Sequence, residues 1–170
     1  MRACAGTSTY PGPPMRACAG TSPYPGFSAA PRIPETMATR AEMRKVRLFQ
    51  DLDDSELDEL LPSWTEVEQP RGTRLMIHGS PGFGFMVILE GQAEVSTPDG
   101  ATHKLGPGDF FGEMELLDHR GRSATVESKT PMRLLALVEK DFKPMLLRHP
   151  QVAYRLLQTL SRRIRDAEAR

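Results

Sequence analysis

The segment Phe110-Phe111-Gly112-Glu113-Met114-Glu115-Leu116-Leu117-Asp118-His119-Arg120-Gly121-Arg122-Ser123-Ala124-Thr125-Val126 concentrates the chemistry of this 170-residue chain. It follows Gly106-Pro107-Gly108-Asp109, a run of turn formers that ends a strand. Gly112 has no Cβ, so the backbone can approach a ligand closely there. Residues 113–117 read as one short helical turn, and the first N–H groups of such a turn lack intrahelical partners. Those N–H groups, with the positive end of the helix dipole, favour an anion. Arg122 follows at a distance that lets a guanidinium fork close on the same anion. Glu113 at the mouth of an anion site is an acceptor, better matched to a sugar hydroxyl than to a second phosphate. An anion and a hydroxyl on one ligand point to a nucleotide.

The pattern Phe-Gly-Glu, then Leu-Leu, then Arg-Ser-Ala-Thr-Val resembles the phosphate-binding cassette of the cyclic nucleotide-binding domain. That family includes the bacterial catabolite activator protein and the regulatory subunit of cAMP-dependent protein kinase. The resemblance extends over roughly residues 46–165. It implies that Glu113 holds a ribose 2′-hydroxyl and Arg122 a cyclic phosphate, with backbone N–H groups near Gly112, Ser123 and Ala124 completing the cradle. The candidate ligand-binding set is therefore Gly112, Glu113, Met114, Glu115, Arg122, Ser123 and Ala124. One position departs: after Gly-Glu-Met the family usually has a small residue, and here Glu115 stands there. A carboxylate beside a phosphate opposes binding unless it points to solvent.

Outside the segment the chain divides in two. Residues 1–14 return almost unchanged as residues 15–28, in a stretch rich in Gly, Pro, Ser and Thr without apolar periodicity. Residues 1–36 are expected to be a disordered tail, and residues 37–170 the folded domain. The tail lacks the apolar core of a secretory signal; its arginines and scarcity of acids leave a transit peptide open on composition. The whole chain balances 22 basic against 22 acidic side chains. Setting aside Arg2, Arg16, Arg32 and Glu35 leaves the domain with a small negative net charge, so charge does not indicate nucleic acid or an anionic membrane. Both cysteines, Cys4 and Cys18, lie in the tail, which fits a cytoplasmic protein.

From Ala38 onward, Met43, Val46, Leu48 and Phe49 predict a first helix ending near Gln50. Asp53 with Glu56 three residues on has the form of a capping box, opening a second helix over Leu57, Leu60 and Leu61 that Pro62 stops. Residues 63–138 read as short strands separated by turns, with Pro98-Asp99-Gly100 as a hairpin and Phe85–Leu89 as a buried strand. Many short strands at regular spacing predict a mainly β domain of the α+β class, a jelly-roll (double-stranded β-helix) barrel flanked by N- and C-terminal helices. Phe142, Met145, Leu146 and Leu147 form a short helix, broken at His149-Pro150. Residues 151–168 form a longer one whose Ala153, Leu157, Leu160, Ile164 and Ala167 repeat at coiled-coil spacing. In the family this C-terminal helix caps the barrel and often forms a dimer interface.

Competing chemistries lack their residue sets. His78, His103, His119 and His149 are scattered, so no metal site is expected. No nucleophile sits in a supporting motif, so catalysis is not expected. The helix-turn-helix of family transcription factors is not in the sequence, and DNA binding is not expected. Arg155, Arg162, Arg163 and Arg165 read as a solvated helix face. The resulting expectation is a regulatory domain that senses cAMP, with cGMP second, and repositions its C-terminal helices for a protein partner or a second copy. No further cofactor is implied. The alternative is a degenerate domain serving as a ligand-independent interaction or dimerisation module, which Glu115 favours.

Overall fold

The computed structural model describes residues 38–81 and 84–169, and the expected tail, residues 1–36, lies outside them. The first helix, α1 (Arg40–Lys45), opens with a full capping box between Thr39 and Glu42. It does not run on to Gln50. Val46 is extended, at φ −86° and ψ 122°, and a separate 3-10 turn follows over Arg47–Phe49. The break has a packing cause. At about 100° per residue an unbroken helix would turn Leu48 well away from the face of Met43, yet Met43, Val46, Leu48 and Phe49 are all buried. Helix α2 (Asp54–Leu60) has the expected Asp53–Glu56 capping box, and Pro62 lies in the 3-10 turn that ends it.

Eight strands follow: β1 (Trp64–Gln69), β2 (Arg74–Met76), β3 (Gly84–Glu90), β4 (Ala93–Ser96), β5 (Thr102–Leu105), β6 (Phe110–Phe111), β7 (Thr125–Ser128) and β8 (Met132–Val138). They form two antiparallel sheets with orders β1-β8-β3-β6 and β2-β7-β4-β5. This is the expected jelly roll flanked by helices. Between β6 and β7 stands α3 (Glu113–Asp118), and after β8 come α4 (Glu139–Arg148) and α5 (Pro150–Glu168), divided at His149 as expected.

The unbroken apolar run of β3 is explained by burial on both faces. Ile88 packs with Met76, Val126 and Leu134 between the sheets. Phe85 and Val87 face the helices, among Phe49, Leu57, Phe142 and Leu156. The Phe85 ring lies 5.8 Å from Trp64, 5.4 Å from Phe110 and 5.2 Å from Phe142. Aromatic contacts of this kind bind strand and helix layers into one unit. A second tie is ionic. Arg133 on β8 donates to Glu66 of β1 at 2.7 Å, to Glu90 of β3 at 2.6 Å and to Glu42 of α1 at 2.6 Å.

Helix α5 docks through Val152 and Leu156, which are buried. Of the expected seam, Leu160 packs partly against the core, whereas Leu157 and Ile164 are 59% and 58% exposed. The docked stripe instead runs Val152, Leu156, Leu160 and Arg163, and it delivers the last of these to the barrel.

Candidate functional site

The two-residue strand β6 ends at Phe111, and the chain must reverse at once to start α3. Gly112 does this in the left-handed region at φ 90°. A Cβ there would lie 2.7 Å from both Arg122 Nη1 and the Gly84 carbonyl oxygen, so the position is closed to other residues on strain and on space. The reversal drives Glu113 inward, and it is 2% exposed.

Arg122 returns from the far end of the loop and is 4% exposed. Its Nη1 donates to the Gly112 carbonyl at 2.8 Å and its Nη2 to the Gly84 carbonyl at 2.9 Å. Those bonds fix the plane of the guanidinium. Its Nε meets Glu115 Oε2 at 2.7 Å as an ion pair, and the Glu115 side chain is 17% exposed. Burial pulls the Arg122 pKa down, against the Glu115 and Glu113 carboxylates, which hold it up.

Glu113 has a partner from across the barrel. Arg163 of α5 donates through Nη1 to Glu113 Oε1 at 2.9 Å and through Nη2 to the Phe110 carbonyl at 2.6 Å. The same guanidinium stands 4.7 Å from the centre of the Phe110 ring. Burial pushes the Glu113 pKa up, and the charges of Arg163 and Arg122 resist that shift.

All seven sequence-designated residues line one cavity of about 690 Å³, roofed by Arg155, Thr159 and Arg163 of α5. Ala124 is buried, Met114 is about half exposed, and the exposed Ser123 directs its hydroxyl to Met114 Sδ at 3.4 Å. Of the two expectations for Glu115, a carboxylate near the phosphate position or one pointing to solvent, the structure shows the first: the side chain lies on Arg122 itself. Arg163 corrects a different expectation. Reading it as part of a solvated face missed its position on the stripe that starts at Val152 and Leu156, the signal that would have turned it inward. Among the described residues no group of three or more His, Cys, Asp or Glu is placed to hold a metal, and no helix is long and apolar enough to cross a membrane.

The chain belongs to the cyclic nucleotide-binding domain family, whose model matches residues 66–149. The cyclic AMP receptor protein of Thermus thermophilus is 33% identical over 131 residues, 74% of this chain and 61% of that protein. The crystal structure of the Thermus thermophilus catabolite activator protein superposes with a TM-score of 0.63, covering 72% of this chain and 60% of that one. The N-terminal domain of a transcriptional regulator from Streptomyces coelicolor is 36% identical, with a TM-score of 0.54, covering 77% and 94% of the two chains. A cAMP-bound triple mutant of the regulatory subunit of a cAMP-independent protein kinase A from Trypanosoma brucei is 26% identical, with a TM-score of 0.62, covering 70% and 44%. The chain spans 61% of the Thermus receptor and 30% of a similar Mesorhizobium japonicum cyclic nucleotide-gated potassium channel.

Proposed function

We propose that the cavity binds a cyclic nucleotide, cAMP ahead of cGMP, and that occupancy is transmitted through α5. The observation that carries this reading is a buried arginine and a buried glutamate, Arg122 and Glu113, lining one cavity at the two ends of the cassette. Arg122 would hold the cyclic phosphate, and Glu113 would accept a bond from the ribose 2′-hydroxyl. Backbone N–H groups of the segments 112–115 and 123–124 would complete the cradle. The name of the Thermus relative supports cAMP as the first nucleotide to test.

Transmission follows from what holds Glu113. A ribose hydroxyl on Glu113 would share the carboxylate that holds Arg163, and on this reading the weakened hold gives a bound ligand differential contacts with two positions of α5. Such a difference is the requirement for any population shift. The exposed Tyr154, Leu157 and Ile164 on α5 give the moving element an apolar face for a protein partner or a second copy. On this reading the domain regulates from the cytoplasm and catalyses nothing itself. Calorimetric titration with cAMP and with cGMP, repeated on Arg122→Ala, tests the ligand; amide exchange across residues 157–168 tests the transmission. Equal binding to wild type and variant would reject the site, and unchanged exchange on saturation would reject the coupling.

A second reading, a module that works without nucleotide, is favoured by Glu115 on Arg122. In the cAMP-bound Trypanosoma variant a glutamate is changed to alanine, and a threonine seven positions later to arginine. The same seven-residue interval separates Glu115 from Arg122. Absence of binding by either nucleotide at millimolar concentration would select this reading.

A further inference from the structure

The structure assigns Glu115 the part of a tethered anion that fills the phosphate seat on Arg122 and sets the threshold a ligand must exceed. We rest this on the nucleotide-binding reading above. Two of the five N–H donors of Arg122 are hydrogen-bonded, Nη1 to Gly112 and Nη2 to Gly84, and Nε lies 2.7 Å from Glu115 Oε2 as an ion pair without hydrogen-bond alignment. The two carbonyls belong to the backbone and stay in place. Glu115 alone is carried on a side chain that can rotate away, and it occupies the Nε edge that a side-on bidentate anion requires. The contact is largely shielded from water, with Arg122 4% and Glu115 17% exposed, so it is a pairing of buried charges rather than a surface ion pair.

The consequence is competition within the chain. A cyclic phosphodiester and a carboxylate each bring one negative charge to Arg122, so exchanging one for the other gains little Coulomb energy. The displaced carboxylate must also find water. Ligand then binds only the fraction of molecules in which Glu115 has swung out, and the apparent Kd is the intrinsic one divided by that fraction. If the open form is populated at about 1–10%, the tether weakens binding about 100- to 10-fold. With Glu113 held by Arg163, both charged groups that would face a nucleotide are neutralised from inside the protein.

The test uses the full chain and three forms: wild type, Glu115→Gln and Glu115→Asp. Titration with cAMP and cGMP should give binding about 10- to 100-fold tighter for Glu115→Gln. Glu115→Asp keeps the charge but is one methylene too short for the contact, so it should recover part of the gain. The gain should persist in about 1 M NaCl, where the screening length of about 3 Å weakens repulsion across solvent but not a buried contact. Equal affinity of wild type and Glu115→Gln would overturn the inference and leave the nucleotide reading standing. If no form binds either nucleotide, that reading fails, and sodium sulfate decides the inference. Sulfate should move the Arg122 Nε–H resonance in Glu115→Gln and leave it in place in wild type. The same response in both forms, or none in either, would overturn it.

Discussion

Replacing Arg163 with methionine removes the guanidinium that bridges α5 to the cassette while keeping an apolar stem against Phe110. Three contacts go: the 2.9 Å bond to Glu113, the 2.6 Å bond to the Phe110 carbonyl and the ring contact at 4.7 Å. Hydrogen bonds to charged groups are worth about 1.5–3 kcal/mol each. The Arg163 side chain is 34% exposed, so solvent screening places the sum near the lower end, about 2–4 kcal/mol at neutral pH. The loss should depend on pH. Burial already raises the Glu113 pKa in the fold, so the folded chain binds this proton more readily than the unfolded one. Its contribution is therefore greatest below the unfolded carboxyl value of about 4.3 and falls as pH rises through the folded value. Removing Arg163 raises that folded value further and widens the window. Near pH 4.5 Glu113 is protonated in the variant, and the loss should shrink to about 1–2 kcal/mol for the carbonyl bond and ring contact. Urea unfolding followed by Trp64, the single tryptophan and 5% exposed, measures both numbers. In a Glu113→Gln background the neutral-pH loss should fall to the acid value. Equal losses at the two pH values, with no coupling in the double-mutant cycle, would refute a charged bridge.

Four further outcomes are expected. Arg122→Ala should cost on the order of 2–5 kcal/mol of cyclic nucleotide binding, with Arg122→Lys a partial rescue because a point charge cannot replace the fork. The same change should also lower folding stability by about 2–4 kcal/mol, since Arg122 stitches Gly112 to Gly84; an unchanged melting temperature would refute that role. Arg133→Met should destabilise by about 3–5 kcal/mol because it strands the 3%-exposed Glu66, and the loss should largely vanish in Glu66→Gln/Arg133→Met measured against Glu66→Gln alone. A chain beginning at Met37 should keep the melting temperature and ligand affinity of the full chain, because residues 1–36 offer little apolar surface to bury; a clear drop in either would show that the tail docks.

What was legible in the sequence was local. The cassette could be read because a glycine, an acid and an arginine within eleven positions of one another carry a complete chemical proposal. The Asp53–Glu56 cap and the His149-Pro150 break were readable for the same reason. Relations across the fold were not. Glu113 and Arg163 are 50 positions apart, and the three carboxylates of Arg133 come from three elements. The break at Val46 was hidden because apolar residues continue through it, and helical periodicity does not distinguish a helix from a helix followed by a 3-10 turn. Strand β5 is implied in the sequence only as the second arm of the Pro98-Asp99-Gly100 hairpin, because Thr102-His103-Lys104-Leu105 offers one buried residue and no apolar alternation. Glu115 was recognised as out of place, but its chemical partner depended on the rotation of α3.

The bridge from Arg163 also has a mechanical meaning. The residue lies five positions before the end of α5 at Glu168. At about 1.5 Å per residue, that is roughly 7.5 Å of helix. A polypeptide grafted in helical register after Glu168 would thus be a lever whose fulcrum is the Phe110 ring and whose catch is Glu113. A tilt too small to register at the barrel would grow in proportion to the length attached. Torque applied to the outer arm would in turn load the catch, so a load on the helix and a ligand in the cavity would compete for one carboxylate.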